Sequence, residues 1–327
     1  MKITVLGFGS WGTAISKLLA LKGHNIIGWT KDERVIESMR WNENPYYFPG
    51  KKLPQNICLT NDLDKASQKA EMIVIALPTQ AVRKVICELP PTEKKIINLS
   101  KGIEIESGKF IHQICQEHLG EKVHYCSLSG PTHAEEVIDM IPTNIVAAGH
   151  NRETLKEVQE IFNTDYFRVY TNNDVLGVEL CGALKNIYAI ASGIIDGLGP
   201  WDNTKAALIT RAIMEMRRFG EFLGAKRETF MGLSGIGDMI VTCTSKHSRN
   251  RFVGEEIGKG KKIEQILSNM VMVAEGVYTV KALMKILKTE KIEMPIAEKI
   301  YQVLYEGGDP LKCIEDLMER KPKPEFW

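Results

Sequence analysis

An α/β N-terminal half built on a doubly wound sheet, followed by an all-α C-terminal half, is the architecture this sequence predicts. Three observations carry that reading. A glycine-rich turn, Gly7-Phe8-Gly9-Ser10-Trp11-Gly12, lies between a strand and a helix at the start of the chain. Short β-branched runs then alternate with helically spaced segments to about residue 171. Beyond that point every periodic segment reads as helix, the first being long, apolar and rich in Ala, Gly and Ser. A chain of 327 residues exceeds what one ordinary core serves. Two domains are therefore expected: 1–171, dinucleotide-binding and Rossmann-like, and 172–327, helical and carrying substrate and catalytic groups.

Composition narrows the functional class. The net charge is +1, with acidic and basic residues interspersed, so neither nucleic acid nor an anionic membrane is an expected partner. Seven cysteines, an odd number with no C-x-x-C pair, point to reduced thiols and a cytoplasmic setting. No signal peptide is read at the N-terminus, and no uninterrupted apolar run is long enough to span a bilayer. Neither an internal repeat nor a low-complexity segment is found.

The first unit is Lys2–Leu6 as strand, the glycine turn, Thr13–Ala20 as helix and Asn25–Trp29 as the next strand. In this context Gly7, Gly9 and Gly12 suit a tight turn, close backbone approach to a pyrophosphate and close helix–strand packing. Ser10 and Trp11 open the helix whose free N–H groups face the phosphates. At the tip of the second strand an NAD site usually places an acid. Here Thr30-Lys31 stands at that point, with Asp32 placed to cap the following helix. Lys31 would neutralise a 2′-phosphate, which favours NADP(H) or tolerance of both cofactors.

Further strands follow at Ile57–Leu59, Met72–Leu77, Lys95–Leu99, Val123–Leu128, Thr143–Ala148 and Tyr166–Tyr170, with a helix at about 152–162. A helix capped by Asn61 or Asp62 follows the first of these. The Met72–Leu77 run is continuously apolar, as befits a strand buried on both faces. Three strand tips carry polar or Gly/Pro sequence where such sheets bind ligands: Pro78-Thr79-Gln80, Ser100-Lys101-Gly102, and Ser129-Gly130-Pro131-Thr132-His133-Ala134-Glu135-Glu136.

The long apolar helix, Asn173–Gly193, carries Lys185-Asn186 at its middle. Burial would depress the lysine pKa and suit it to act as a general base; a surface lysine laying its stem along the helix is the alternative. A second long helix spans Asn203–Leu223. The segment Gly232–Ser245 then presents Asp238 after repeated glycines, either a positioned carboxylate or a helix cap. Ser248-Arg249-Asn250-Arg251 opens another helix with the dipole, guanidinium and amide that suit a phosphate. Helices beginning at Met272-Val273-Ala274-Glu275-Gly276, at Met294 and at Asp309 complete this half, and Lys321–Trp327 reads as a tail. His112, Cys115 and His118 fan around a helix without a fourth ligand, so a solvated face is expected there and no metal. Gly254–Lys259 is one residue short of a phosphate loop and reads as a helix end.

The order and spacing of G-F-G-S-W-G, S-K-G, S-G-P-T-H-A-E-E, E-L-C-G-A-L-K-N, G-D-M-I-V-T-C-T-S, S-R-N-R and A-E-G resemble the NAD(P)-dependent glycerol-3-phosphate dehydrogenases of the bacterial type. That resemblance implies that Lys185 accepts the proton and that Lys101 touches both substrate and cofactor. It implies substrate contacts at Gly130, Thr132, Asp238, Ser248, Arg249 and Asn250. Cofactor contacts are implied at Ser10, Trp11, Lys31, Ala134, Arg249, Val273 and Glu275. The implied activity interconverts sn-glycerol 3-phosphate and dihydroxyacetone phosphate, serving phospholipid synthesis; a homodimer is compatible with it. Two rivals share parts of the pattern. A two-domain β-hydroxy acid dehydrogenase would prefer a carboxylate, and a non-catalytic nicotinamide sensor would need neither Lys185 nor Asp238.

Overall fold

The computed structural model describes residues 1–327 except Val271, Lys323, Phe326 and Trp327; the tail read at 321–327 therefore falls partly outside the described residues. The chain alternates β1 (Lys2–Leu6), α1 (Ser10–Leu21), β2 (Asn25–Trp29), α2 (Glu33–Ser38), β3 (Ile57–Thr60) and α3 (Leu63–Ser67). It continues through β4 (Met72–Ile75), α4 (Thr79–Ile86), β5 (Lys95–Asn98), α5 (Ile111–Leu119) and β6 (His124–Ser129). After these come α6 (Ala134–Ile138), β7 (Thr143–Ala148), α7 (Arg152–Phe162) and β8 (Phe167–Asn172). The strands form one sheet in the order β3-β2-β1-β4-β5-β6-β7-β8. Strand order reverses between β1 and β4, and the carboxyl ends of those two strands bound the crevice where such sheets take ligands.

All neighbouring pairs are parallel except β6 with β7, so the last two strands run against the other six. The connecting α6 has only five residues and packs on α1 instead of carrying the chain back across the sheet. Apolar side chains fill both faces of the sheet. Ile3, Val5, Ile15, Leu18, Val158 and Phe162 lie in one layer. Leu6, Ile73, Ile75, Val82, Ile96 and Ile114 lie in the other.

The second core surrounds α8 (Val175–Leu198), of whose residues from Val175 to Ile195 only Leu176 is not buried. Asp174 fixes the start of this helix: its carboxylate accepts the N–H of Gly177 at 2.9 Å, the N–H of Lys226 at 2.8 Å and the Thr229 hydroxyl at 2.6 Å. By length and composition α8 would suffice to cross a bilayer, yet its most apolar stretch is buried inside the protein. Its apolarity is that of a core. Around it lie α9 (Asp202–Phe222), α10 (Asp238–Thr244), α11 (Arg249–Gly258), α12 (Ile263–Ser268), α13 (Glu275–Thr289), α14 (Pro295–Tyr305) and α15 (Pro310–Met318).

Packing is closest between α8 and α11, where the two backbones meet through glycines. A Cβ on Gly193 would lie 1.9 Å from the Arg251 carbonyl oxygen, and one on Gly254 would lie 2.0 Å from that of Ile190. This close approach explains the glycines read above as a mere helix end, and it brings the first turn of α11 against the middle of α8.

Candidate active site

The β1–α1 turn is built by three glycines with three different constraints. Gly7 has φ +96°, a left-handed conformation, and a Cβ there would also lie 2.5 Å from the Ala76 carbonyl oxygen. Gly12 is closed by the turn itself, since its Cβ would lie 1.9 Å from the Gly7 carbonyl oxygen. Gly9 differs: the nearest atom to its Cβ would be on the Tyr47 ring, 3.8 Å away. Its side faces the open space of a cleft of about 450 Å³, within the size range of small-molecule and cofactor sites. Helix α1 has no side-chain cap and no acid in its first turn, so the N–H groups at Ser10 and Trp11 keep their capacity for an anion. Uncapped helix start, close-approach glycine and open cleft together fit a dinucleotide pyrophosphate.

Thr30 and Lys31 line the same cleft. Asp32 does not offer its carboxylate there. It accepts the Arg34 N–H at 3.1 Å as the cap of α2 and pairs with the Arg34 guanidinium at 3.0 and 2.8 Å. The Lys31 ammonium lies 5.6 Å from the centre of the Trp29 ring. The charge available at this strand tip is thus positive.

At the cleft floor Lys185 projects from α8. Its Nζ donates to Asp238 Oδ1 at 2.7 Å and to Thr242 Oγ1 at 2.6 Å. Lys101, at the tip of β5, donates to Asp238 Oδ2 at 2.8 Å and to the Gly130 carbonyl at 3.2 Å. Asp238 is 1% exposed and is shared by the two ammonium groups. A Cβ on Gly182 would lie 2.9 Å from Ser129 Oγ and 3.4 Å from Lys101 Cγ, so this glycine makes room for the Ser129 hydroxyl while the Lys101 stem lies beside α8. The Lys185 side chain is 8% exposed, which rules out the surface-lysine alternative. Burial pushes its pKa down to about 8; the Asp238 charge opposes that shift and the Lys101 charge reinforces it. Burial works to raise the Asp238 pKa, but the charges of Lys101 and Lys185 outweigh it and hold the carboxyl below its ordinary value. Nor is Asp238 a helix cap. It follows a π-helical turn, Leu233–Gly237, as the first residue of α10, and its carboxylate is turned towards the lysines. Such turns often occur at functional sites.

Ser248 caps α11, its hydroxyl accepting the Arg251 N–H at 3.2 Å. Arg249 lines the cleft beside it. Asn250 is a bracing group as well as a lining one: it donates to Asn186 Oδ1 at 2.9 Å and accepts the Gly276 N–H at 2.9 Å, tying α8, α11 and α13 together. Thr132, Ala134 and Val273 also border the cleft. Glu275 does too, but its carboxylate accepts the Thr79 N–H at 3.0 Å, joining the start of α13 to the start of α4; burial raises its pKa. Of the residues expected from sequence to contact cofactor or substrate, Gly12, Gly130 and Asp238 stand behind the cleft wall and the others line it.

Some groups at the site were not read from sequence. Thr242 is one; its signal was its position four residues after Asp238 on a helix, hence on the same face. His133 is another. It lines the cleft, and burial with the Lys185 charge pushes its pKa down to about 4 despite Asp238. Glu179, within the long-helix motif, is a third and is buried. One expectation is corrected: His112, Cys115 and His118 do not form a solvated face. Cys115 lies in the core, His112 pairs with Glu179 at 2.7 Å, and His118 meets Arg83 at 2.7 Å. Sequence spacing showed the helix but not that a buried acid from α8 would face it. Among the described residues no group of three or more His, Cys, Asp or Glu is placed to hold a metal.

Comparison with known proteins extends over the whole chain. Residues 2–155 match the family described as NAD-dependent glycerol-3-phosphate dehydrogenase N-terminus, and residues 174–315 match the C-terminus of the same enzyme. A protein of Thermotoga sp. (strain RQ2) named glycerol-3-phosphate dehydrogenase [NAD(P)+] is 47% identical, over 100% of this chain and 99% of its own. One of the same name from Carboxydothermus hydrogenoformans is 49% identical, over 100% and 98%. The crystal structure of glycerol-3-phosphate dehydrogenase from Coxiella burnetii superposes with a TM-score of 0.94 at 35% identity, covering 98% of this chain and 99% of that one.

Proposed function

The chain belongs to the NAD-dependent glycerol-3-phosphate dehydrogenase family, and from that premise we propose that it interconverts sn-glycerol 3-phosphate and dihydroxyacetone phosphate with NAD(P)(H). The observation that carries this reading is the pair of lysines meeting on one buried aspartate, at the floor of the cleft into which the β1–α1 glycine turn opens. When bound, the nicotinamide supplies or accepts the hydride.

The protein's own groups handle the proton and the charge. For oxidation a base must reach the hydroxyl proton with a pKa near the working pH. Lys185, depressed to about 8, meets that need in its neutral form. In reduction the protonated form donates to the carbonyl oxygen as negative charge gathers there. Asp238 orients both ammonium groups. Thr242 accepts from Lys185 and itself donates to the Asp238 carbonyl at 2.6 Å, which fixes the direction of the Lys185 side chain. Lys101 and Thr132 line the substrate side between β5 and α6, with Gly130 behind them accepting from Lys101 through its carbonyl. Arg249, with Ser248 and Asn250 at the start of α11, takes the phosphate, and that remote binding energy positions the reacting carbon.

Gly7, Gly9, Ser10 and Trp11 hold the pyrophosphate in a turn that Gly12 closes from behind, and Lys31 faces the ribose end. Because Asp32 is committed to Arg34 and α2, NADP(H) is the favoured cofactor. Ala134, Val273 and Glu275 complete the cofactor wall. The division into a cofactor domain, 1–171, and a helical catalytic domain, 172–327, follows the change from sheet to helix. Reduction is the proposed working direction, supplying glycerol 3-phosphate for phospholipids. Seven unpaired cysteines support a reducing, cytoplasmic setting; a homodimer through the helical half accords with this reading. The test is consumption of NADPH and NADH by purified protein given dihydroxyacetone phosphate, with β-keto acids in parallel. Turnover of the phosphate substrate, faster with NADPH, is expected; turnover of the keto acids alone would replace this reading with that of a β-hydroxy acid dehydrogenase.

A further inference from the structure

One buried acid near the site takes no part in the chemistry above. Glu179 stands on α8, six residues before Lys185, or about 9 Å along the helix axis. Its carboxylate, 5% exposed, is fully engaged. Oε1 accepts from Asn98 Nδ2 at 3.1 Å and from the Tyr125 hydroxyl; Oε2 accepts the His112 N–H at 3.2 Å and pairs with His112 Nδ1 at 2.7 Å.

What Asn98 does with the rest of its amide gives this network a direction. Asn98 closes β5, and it accepts the Ser100 N–H at 2.9 Å while donating to the Ser100 carbonyl at 3.1 Å. The Ser100 hydroxyl in turn donates to the Leu77 carbonyl, beyond the end of β4, at 2.7 Å. The Asn98–Ser100 turn is thereby fixed from both sides, and the next residue is Lys101. A loop at a strand tip has no regular ladder to hold it, and a misplacement of about 1 Å at a reacting group costs about a hundredfold in rate.

We propose that Glu179 is a positioning residue for the reaction: it ties the Asn98–Ser100 turn to α8 and so sets where Lys101 stands relative to Lys185. The helix that carries the base thus also carries the group that registers the second lysine against it. An isolated buried carboxylate would be a liability; four donors from β5, β6 and α5 make it a junction between the sheet and the helix.

This inference rests on the proposed dehydrogenase reading, and wild-type turnover of dihydroxyacetone phosphate separates the two. Without that turnover the reading fails, whatever Glu179 does. With it, Glu179→Gln and Asn98→Ala are compared with wild type in kcat, KM, cofactor binding and the pH dependence of glycerol 3-phosphate oxidation. Glu179→Gln is expected to lower kcat about tenfold to a hundredfold, with cofactor still bound. Asn98→Ala should give a similar loss, and the double variant should be little worse than Glu179→Gln, because both cut one link.

The pH profile carries the part that simple destabilisation would not move. The groups facing Lys185 are Asp238 and Cys243 of α10, Lys101, and His133 ahead of α6. Of these, Lys101 lowers the Lys185 pKa. Releasing Lys101 should therefore shift the rise of oxidation rate to higher pH. Wild-type kcat and an unmoved profile in the variants, or additive losses seen only in melting temperature, would overturn the proposal. Should Glu179→Gln not fold, Asn98→Ala decides by the same profile.

Discussion

The two ends of the cleft are built from different materials. At the end proposed for the cofactor the working surface is backbone: a turn of six residues in which one glycine provides a left-handed φ, one leaves open space beside it, and one lets the chain fold back on itself. At the floor it is side chain. Lys185 meets Asp238 across 53 positions and Lys101 meets the same aspartate across 137. The first surface tolerates no added Cβ at two of its three glycines; the second depends on charge balance in a buried space. The contrast teaches that a local, steric device can be read from spacing, whereas an electrostatic one exists only once the chain has folded.

That contrast can be broken at either end, and the largest effect is expected at the floor. Lys185→Ala should lower kcat by about three to four orders of magnitude, the upper part of the range for a positioned acid–base group, while cofactor binding by fluorescence titration is retained. Turnover within tenfold of wild type would remove the lysine from the chemistry. Gly12→Ala is the steric counterpart. With its Cβ directed at 1.9 Å from the Gly7 carbonyl, the turn must open, at a cost of about 3 kcal/mol. Cofactor affinity should be lost before glycerol phosphate chemistry can be measured; calorimetric titration with NADPH checks this.

Smaller effects sharpen the comparison. Arg249→Ala removes a charge-assisted contact to a phosphate, so the KM for dihydroxyacetone phosphate should rise about tenfold to a hundredfold with kcat less affected. An unchanged KM would move the phosphate elsewhere in the cleft. Lys31→Ala should reduce the preference for NADPH over NADH by about tenfold, read as a ratio of kcat/KM values. Such a ratio is insensitive to general damage.

Legibility followed the same division. The strand–turn–helix start, the apolar run of β4 and the core helix α8 were all written in local periodicity. The sheet order and the reversal of β7 were not, because pairing partners are chosen by packing between distant segments. Lys185 was visible as an anomaly, a lysine in an apolar helix, but its alternatives could be separated only by burial. Asp238 was visible by its glycines, and its partner Thr242 only through helical spacing. Glu179 stayed hidden although it lay in view within the same motif. Nothing local distinguishes a buried acid from a surface one; its donors Asn98, His112 and Tyr125 arrive from three other elements. Similarly, the set of His112, Cys115 and His118 looked solvated until Glu179 of α8 and Arg83 of α4 were brought against it.

The central claim is that a lysine whose pKa burial lowers to about 8 is the proton acceptor, and the pH dependence of kcat/KM for glycerol 3-phosphate oxidation tests it most directly. Only neutral Lys185 can accept the hydroxyl proton, so activity should rise with pH through a single ionisation near the depressed value of about 8 and level off above it. The carboxylate of Asp238 opposes that depression, so in Asp238→Asn whatever activity remains should rise at lower pH. A profile flat from pH 7 to about 9, or one rising only near the ordinary lysine value of 10.5, would contradict the account.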